Sequence, residues 1–119
     1  MKVKEIISVD PACCTADDNV QKVAKMMCDL NVGSIPVVTD QQSRALVGVV
    51  TDRDLCCRVL AQGFDPKSTR LQEFVTYNPV ICRDGENVEQ CERLMQEHQV
   101  RRIPVVDRDN RVIGTCGPS

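Results

Sequence analysis

Apolar and polar positions alternate along this chain in a pattern that occurs twice. From Val20 the apolar residues fall at Val23, Met27 and Leu30, steps of three and four that line one face of a helix. Val88, Cys91, Met95 and His98 repeat those steps 68 residues further on. A β-branched run follows each stripe, Ile35 to Thr39 and then Ile103 to Asp107. Polar turn residues bound both runs, which predicts a strand in each copy. The turn Asp40–Arg44 leads to a second predicted strand, Leu46–Val50, with Gly48 inside it. The second copy answers with Asp109-Asn110-Arg111 and Val112-Ile113-Gly114, a turn two residues shorter. A helix is predicted from Asp52 to Gln62, with Gly63 as its C-terminal cap. Ahead of each long helix stand a short helix-like segment (Lys4–Ser8, Leu71–Thr76) and an X-Pro pair. Asp10-Pro11 and Asn78-Pro79 predict extended entries, because the residue before proline avoids helical angles. Asp17 or Asp18 is the expected cap of the first long helix.

The repetition reaches the strand motif itself, since Val32-Gly33-Ser34-Ile35-Pro36-Val37-Val38 returns as Val100-Arg101-Arg102-Ile103-Pro104-Val105-Val106. A doubled chain is read as two copies of one structural unit, an arrangement that often places ligands along the seam. The copies span residues 1–63 and 70–119, with 64–69 as linker. About 60 residues is close to the lower limit for independent folding, so the copies are expected to pack together. They differ at the end: Gly114–Ser119 stands where Gly48–Arg53 opens a helix in the first copy, and that closing helix has no counterpart. Its loss predicts bared apolar surface, and from that a homodimer.

Composition narrows the function classes. With 119 residues and a net charge of −2, general electrostatic attraction to nucleic acid is not expected. Aromatics make up 3% and Trp is absent, which argues against a base-stacking platform. No run approaches the ~18 apolar residues of a membrane span, and the charged start, Met1-Lys2-Val3-Lys4-Glu5, has no signal-peptide core. Eight cysteines in such a chain predict a reducing, cytoplasmic setting, where thiols act as small buried hydrophobes. A zinc site lacks its usual spacing, because there is no Cys-x-x-Cys and His98 is the one histidine. The vicinal pairs Cys13-Cys14 and Cys56-Cys57 leave thiol redox chemistry open, although nothing signals a lowered thiol pKa. No nucleophile–base pair, Gly-rich phosphate loop or carboxylate pair appears, so an enzyme is not expected.

The Ile-Pro-Val-Val strands, together with Gly48-Val49-Val50-Thr51-Asp52-Arg53-Asp54-Leu55, resemble the CBS domain, and two in tandem resemble the CBS pair or Bateman module. Asp52–Pro66 and Glu97–Val105 are also similar to small stand-alone bacterial CBS proteins of the hypoxic-response type. The resemblance implies an α/β fold of two CBS-type βαββα units packed with pseudo-two-fold symmetry, the second lacking its closing helix. It further implies a non-catalytic sensor of an adenine nucleotide or adenosyl ligand (AMP, ADP, ATP or S-adenosylmethionine), with no cofactor required. In one inter-copy cleft the family pattern falls on Thr51 and Asp54 from the first copy, with Pro79, Val80, Ile81, Val100, Arg101 and Arg102 opposite. The chemistry suits a nucleotide: Asp54 can accept from ribose hydroxyls and Thr51 can donate to a phosphate oxygen. Arg101 and Arg102 offer guanidinium forks to phosphate, and Val80 and Val100 an apolar slot for adenine. In the mirror cleft the matching positions are Gly117 and the uncharged Gly33 and Ser34, so one working site is expected. Several readings compete with these. Asp54 can be a helix cap, although Asp52 is the better placed, and Arg101 and Arg102 can pair with Glu97 or Asp107. His98 is expected partly buried on the apolar stripe. The alternative function is a ligand-free structural or interaction CBS pair, with thiols open to redox or metal response. The expected partners are an adenine nucleotide, a second copy of the chain and an unidentified effector protein, with no nucleic acid and no membrane.

Overall fold

A computed structural model describes residues 1–3, 8–9 and 12–117. In chain order its elements are β1 (Ser8–Val9), α1 (Val20–Leu30), β2 (Ser34–Val38), β3 (Leu46–Thr51), α2 (Asp52–Asp54, continued by Leu55–Leu60), a 3-10 turn (Leu71–Glu73), β4 (Thr76–Tyr77), β5 (Cys82–Arg83), α3 (Val88–His98), β6 (Ile103–Val106) and β7 (Val112–Cys116). The chain forms two compact units. One is residues 12–79; the other joins residues 1–11 to 80–119.

In the unit 12–79 the sheet order is β2-β3-β4, all antiparallel. Val20, Val23 and Met27 of α1 meet Ile35, Val37 and Val50 of the sheet, and Leu55, Val59, Leu71 and Phe74 complete the core. All of Ile35–Val38 is buried, with Ile35 and Val37 in the core beneath α1. Cys14 lies parallel to Val37, its N–H donating to Pro36 O at 3.0 Å while its carbonyl accepts from Val38 N at 2.8 Å. In the other unit the order is β1-β7-β6-β5, with β5 parallel to β6. Val3, Cys82, Cys91, Ile103, Val105 and Cys116 form its core. The two units repeat each other down to a register shift after the same valine, Val37 in one and Val105 in the other.

Each packing unit draws on both sequence copies. β4, from the opening of the second copy, pairs with β3, and β1, from the opening of the first, pairs with β7. The short bridges obey the same exchange, Asn19 with Arg70 and Asn87 with Lys2. Gly48 allows the β3–β4 approach, since a Cβ there would lie 2.4 Å from Thr76 O.

Several expectations change in detail. Asn19, not Asp17 or Asp18, caps α1, its Oδ1 accepting from Lys22 N at 2.8 Å, while Asp18 Oδ2 accepts from Thr15 N. Asn78 is left-handed at φ 61° rather than extended, because an Asn side chain tolerates that region and the chain turns there after β4. Gly63 is the left-handed stop expected for α2 at φ 84°, but the helix widens before it, Ala61 N donating to Cys56 O, five residues back. The apolar stripes bury less than their periodicity predicts: Leu30 is 50% exposed and His98 is exposed, not partly buried. Both sit at the last turn, just before the left-handed caps Asn31 and Gln99. The helix-like reading of Lys4–Ser8 and the entry at Asp10-Pro11 lie outside the described residues, apart from Ser8, which is strand.

Candidate functional site

β3 ends at Thr51, whose extended backbone (φ −115°, ψ 161°) turns the chain directly into α2. Thr51 Oγ1 accepts from Asp54 N at 3.1 Å. Asp54 Oδ2 in turn accepts from Thr51 N and from Thr51 Oγ1, both at 3.0 Å. This is a capping box, so Asp54, not Asp52, serves the helix start. Asp52 misses that role because its Oδ1 accepts from the adjacent Arg53 N at 2.8 Å. A carboxylate at the third helical position reaches back to the cap N–H, whereas one at the first points sideways. Asp54 Oδ1 lies outside the box, 3.6 Å from Arg58 Nη1, and the side chain is 16% exposed. Thr51 and Asp54 are therefore brought together, and the carboxylate is oriented by three groups on two residues, Thr51 and Arg58. Pro79, half-buried, closes the same unit after the Asn78 turn.

The remaining predicted residues belong to the other unit and gather at one end of its sheet. β5 and β6 run parallel, so Val80–Ile81 and Val100–Arg102 enter the sheet at the same end, and antiparallel β7 leaves there at Gly117. Val80 and Ile81 are half-buried, Val80 against the core. Val100 is 37% exposed and Arg101 is exposed. Arg102 is half-buried and its Nη1 donates to Thr115 Oγ1 at 3.3 Å. Asp107, one suggested partner for these arginines, spends Oδ1 on Asp109 N and Arg111 N in its own turn.

The two units divide side chains and glycines in opposite ways at these strand ends. In the first, Gly33 sits opposite the chain leaving β3, with Asp52 N donating to its carbonyl at 2.8 Å. A Cβ on Gly33 would lie 3.3 Å from Asp52 Oδ2. In the second the glycine is Gly117, the position matching Thr51, and a Cβ there would lie 2.3 Å from Arg101 O and 3.0 Å from Arg102 Cα. One end carries hydroxyl and carboxylates, the other guanidinium groups.

The thiols are shielded from ionisation where they are buried. Burial pushes Cys14 up to about 12, helped by the negative Asp18 beside it, and its Sγ donates to Pro36 O. Cys116 is raised to about 12 and Cys91 to about 11, in both cases chiefly by burial among one another. Cys13 and Cys82 are raised for the same first reason. Cys28, Cys56 and Cys57 are exposed. Among the described residues no group of three or more His, Cys, Asp or Glu side chains is placed to hold a metal ion. None of the described helices is long and apolar enough to cross a membrane.

Two sheet-and-helix units of one register define a tandem-repeat α/β protein. The chain belongs to the CBS domain family, whose signature matches residues 3–60 and 71–116, one copy in each half. It is similar to the stand-alone Hypoxic response protein 1 of Mycobacterium tuberculosis, 27% identical over 111 residues that cover 93% of this chain and 76% of that protein. A crystal structure of Hypoxic Response Protein I with two coordinated zinc ions matches with a TM-score of 0.87 at 26% identity, covering 98% of this chain and 92% of that one. The CBS pair of protein MJ0100, in complex with 5′-methylthioadenosine and S-adenosyl-L-methionine, matches at 0.83 and 27% identity (98% and 89% covered). CBSX2 of Arabidopsis thaliana, in complex with AMP, matches at 0.82 and 26% (98% and 89%).

Arg58 is the residue of this site that sequence reasoning missed. Its signal was the i,i+4 spacing from Asp54 on one helix face.

Proposed function

We propose that this CBS pair is a non-catalytic regulatory module that binds one adenine nucleotide or adenosyl ligand per chain. In this reading Asp54 accepts from the ribose hydroxyls through Oδ1, and Thr51, whose hydroxyl proton goes to Asp54 Oδ2 rather than to a phosphate oxygen, orients that carboxylate. Pro79, Val80, Ile81 and Val100 supply the apolar slot for adenine, and Arg101 and Arg102 take the phosphate. The observation that carries the reading is the Asp54 carboxylate: Oδ2 is held by Thr51 while Oδ1 stands outside the capping box. The adenosyl ligands of MJ0100 and CBSX2 lend support. A single site is supported by the matching position of the second copy, where Gly117 has no room for the Cβ of a threonine.

Isothermal titration with AMP, ADP, ATP and S-adenosylmethionine tests this. One ligand per chain is expected, with heat lost in Asp54→Ala and in Arg102→Ala. At 100 times its dissociation constant the ligand should also stabilise the fold by about 2.7 kcal/mol. No heat and no stabilisation from all four overturns the reading.

A second reading has its own support, because the capping box by itself explains why Asp54 is where it is. Under it the pair is a ligand-free interaction module, and Cys28, Cys56 and Cys57 are the thiols open to redox or metal chemistry. Either module is cytoplasmic and homodimeric in this proposal. Leu60 at 57% and Phe64 at 47% exposure leave apolar surface along and just after α2 for a second copy to cover. Light scattering at micromolar concentration should return twice the chain mass, and a single-chain mass contradicts the dimer.

A further inference from the structure

We infer that Arg58 is a positioning residue that sets the ribose selectivity of the proposed site, an inference that rests on the nucleotide reading above. Arg58 makes four attachments within the unit 12–79. Nη1 lies 3.6 Å from Asp54 Oδ1 and donates to Phe74 O at 3.2 Å. Nη2 donates to Glu73 O at 2.9 Å, and the guanidinium carbon stands 5.6 Å from the centroid of the Phe74 ring.

A surface i,i+4 ion pair is ordinarily worth little, since two flexible side chains must be ordered to form it. Here the guanidinium is already fixed by two carbonyls and a ring, so its entropy is spent before Asp54 is met. The planar fork suits this because it can present donors to the carbonyls and a face to the ring together, which an ammonium cannot do. Thr51 anchors Oδ2 from one side and Arg58 addresses Oδ1 from the other. The carboxylate is thereby held in one rotamer, with its remaining lone pairs aimed in a set direction. Phe74 is itself held, buried in the core and in edge contact with Phe64 at 5.7 Å between centroids. Arg58 also ties α2 to Glu73–Phe74, the stretch that runs on through β4 to Pro79 and Val80.

The test compares AMP with 2′-deoxy-AMP by titration calorimetry. A hydrogen bond to a carboxylate makes the expected wild-type preference for AMP about tenfold or more. Arg58→Gln should cut that preference to below about threefold, chiefly by weakening AMP. In the Asp54→Asn background the same change should add nothing further, as expected when one residue acts through the other. A merely structural role would weaken both nucleotides alike and leave their ratio intact, and that result overturns the inference. If Arg58→Gln does not fold, Arg58→Lys is read instead; a preference lowered at least twofold supports the inference and an unchanged one overturns it. Failure of the wild type to bind either nucleotide overturns the nucleotide reading and this inference with it. Wild-type binding with an intact preference in the variants removes the inference alone.

Discussion

At Asp54 two donors from Thr51 converge on Oδ2, so the side chain that would grasp a ligand is also the one that starts α2. From the sequence the neighbouring Asp52 was the better placed of the two to cap the helix, and the turn out of β3 gives that role to Asp54 instead. Buried cysteines make the sharper test at this scale. Cys14, Cys91 and Cys116 sit at about 12, 11 and 12 against an ordinary 9.0, mainly because burial disfavours the thiolate. The folded value lies above the unfolded one, so the native state keeps protons that the unfolded chain has lost. The stability these thiols contribute is therefore complete below about pH 9 and is lost as pH rises through 11 to 12. Urea midpoints should fall between pH 9 and 10.5, and the fall should be shallower in Cys14→Ala than in the wild type. Equal slopes in the two proteins would refute the assignment.

Strand ends are the elements that distinguish the two copies. β3 runs into a helix past Gly33, whereas β7 reaches Gly117 with the backbone of Arg101 against it. Writing the first copy's residue into the second, as Gly117→Thr, should not recreate a hydroxyl site. The new Cβ would meet a backbone carbonyl at 2.3 Å, an atom with no side-chain freedom to retreat. Overpacking of this kind costs about 1–3 kcal/mol. Chemical denaturation should show that loss, and titration should still find one ligand per chain. A variant as stable as wild type would mean that β6 and β7 separate easily at this end.

The whole molecule exchanges its opening segments between packing units. Met1–Val3 and β1 complete the sheet and core of the unit formed with residues 80–119, where Val3 is fully buried and its N–H donates to Glu86 O at 2.9 Å. Deleting residues 1–9 removes that valine and an edge strand, a loss of about 2–4 kcal/mol from one buried side chain and several hydrogen bonds. Hydrogen exchange should rise most in α3, β6 and β7 and least in residues 20–60. Uniform deprotection, or none, would contradict the assignment of the N-terminal segment to that unit.

The 3.6-residue repeat was enough for α1 and α3, and apolar, β-branched runs bounded by polar turns were enough for the four long strands; β2 and β6 are buried without any two-residue alternation. Family motifs placed Thr51 and Asp54 at one strand end and Val100–Arg102 at another. The short strands β1, β4 and β5 were invisible as patterns: two residues carry no period, and they exist because a distant strand offers its edge. The same holds for the left-handed Asn78, the choice of Asn19 as cap, the exposure of His98 and the grip of Arg58 on Glu73 and Phe74. Each depends on which groups from far along the chain arrive beside it. Local sequence sets what a segment can become, and tertiary contact selects among those options wherever two of them differ by only about a kilocalorie per mole.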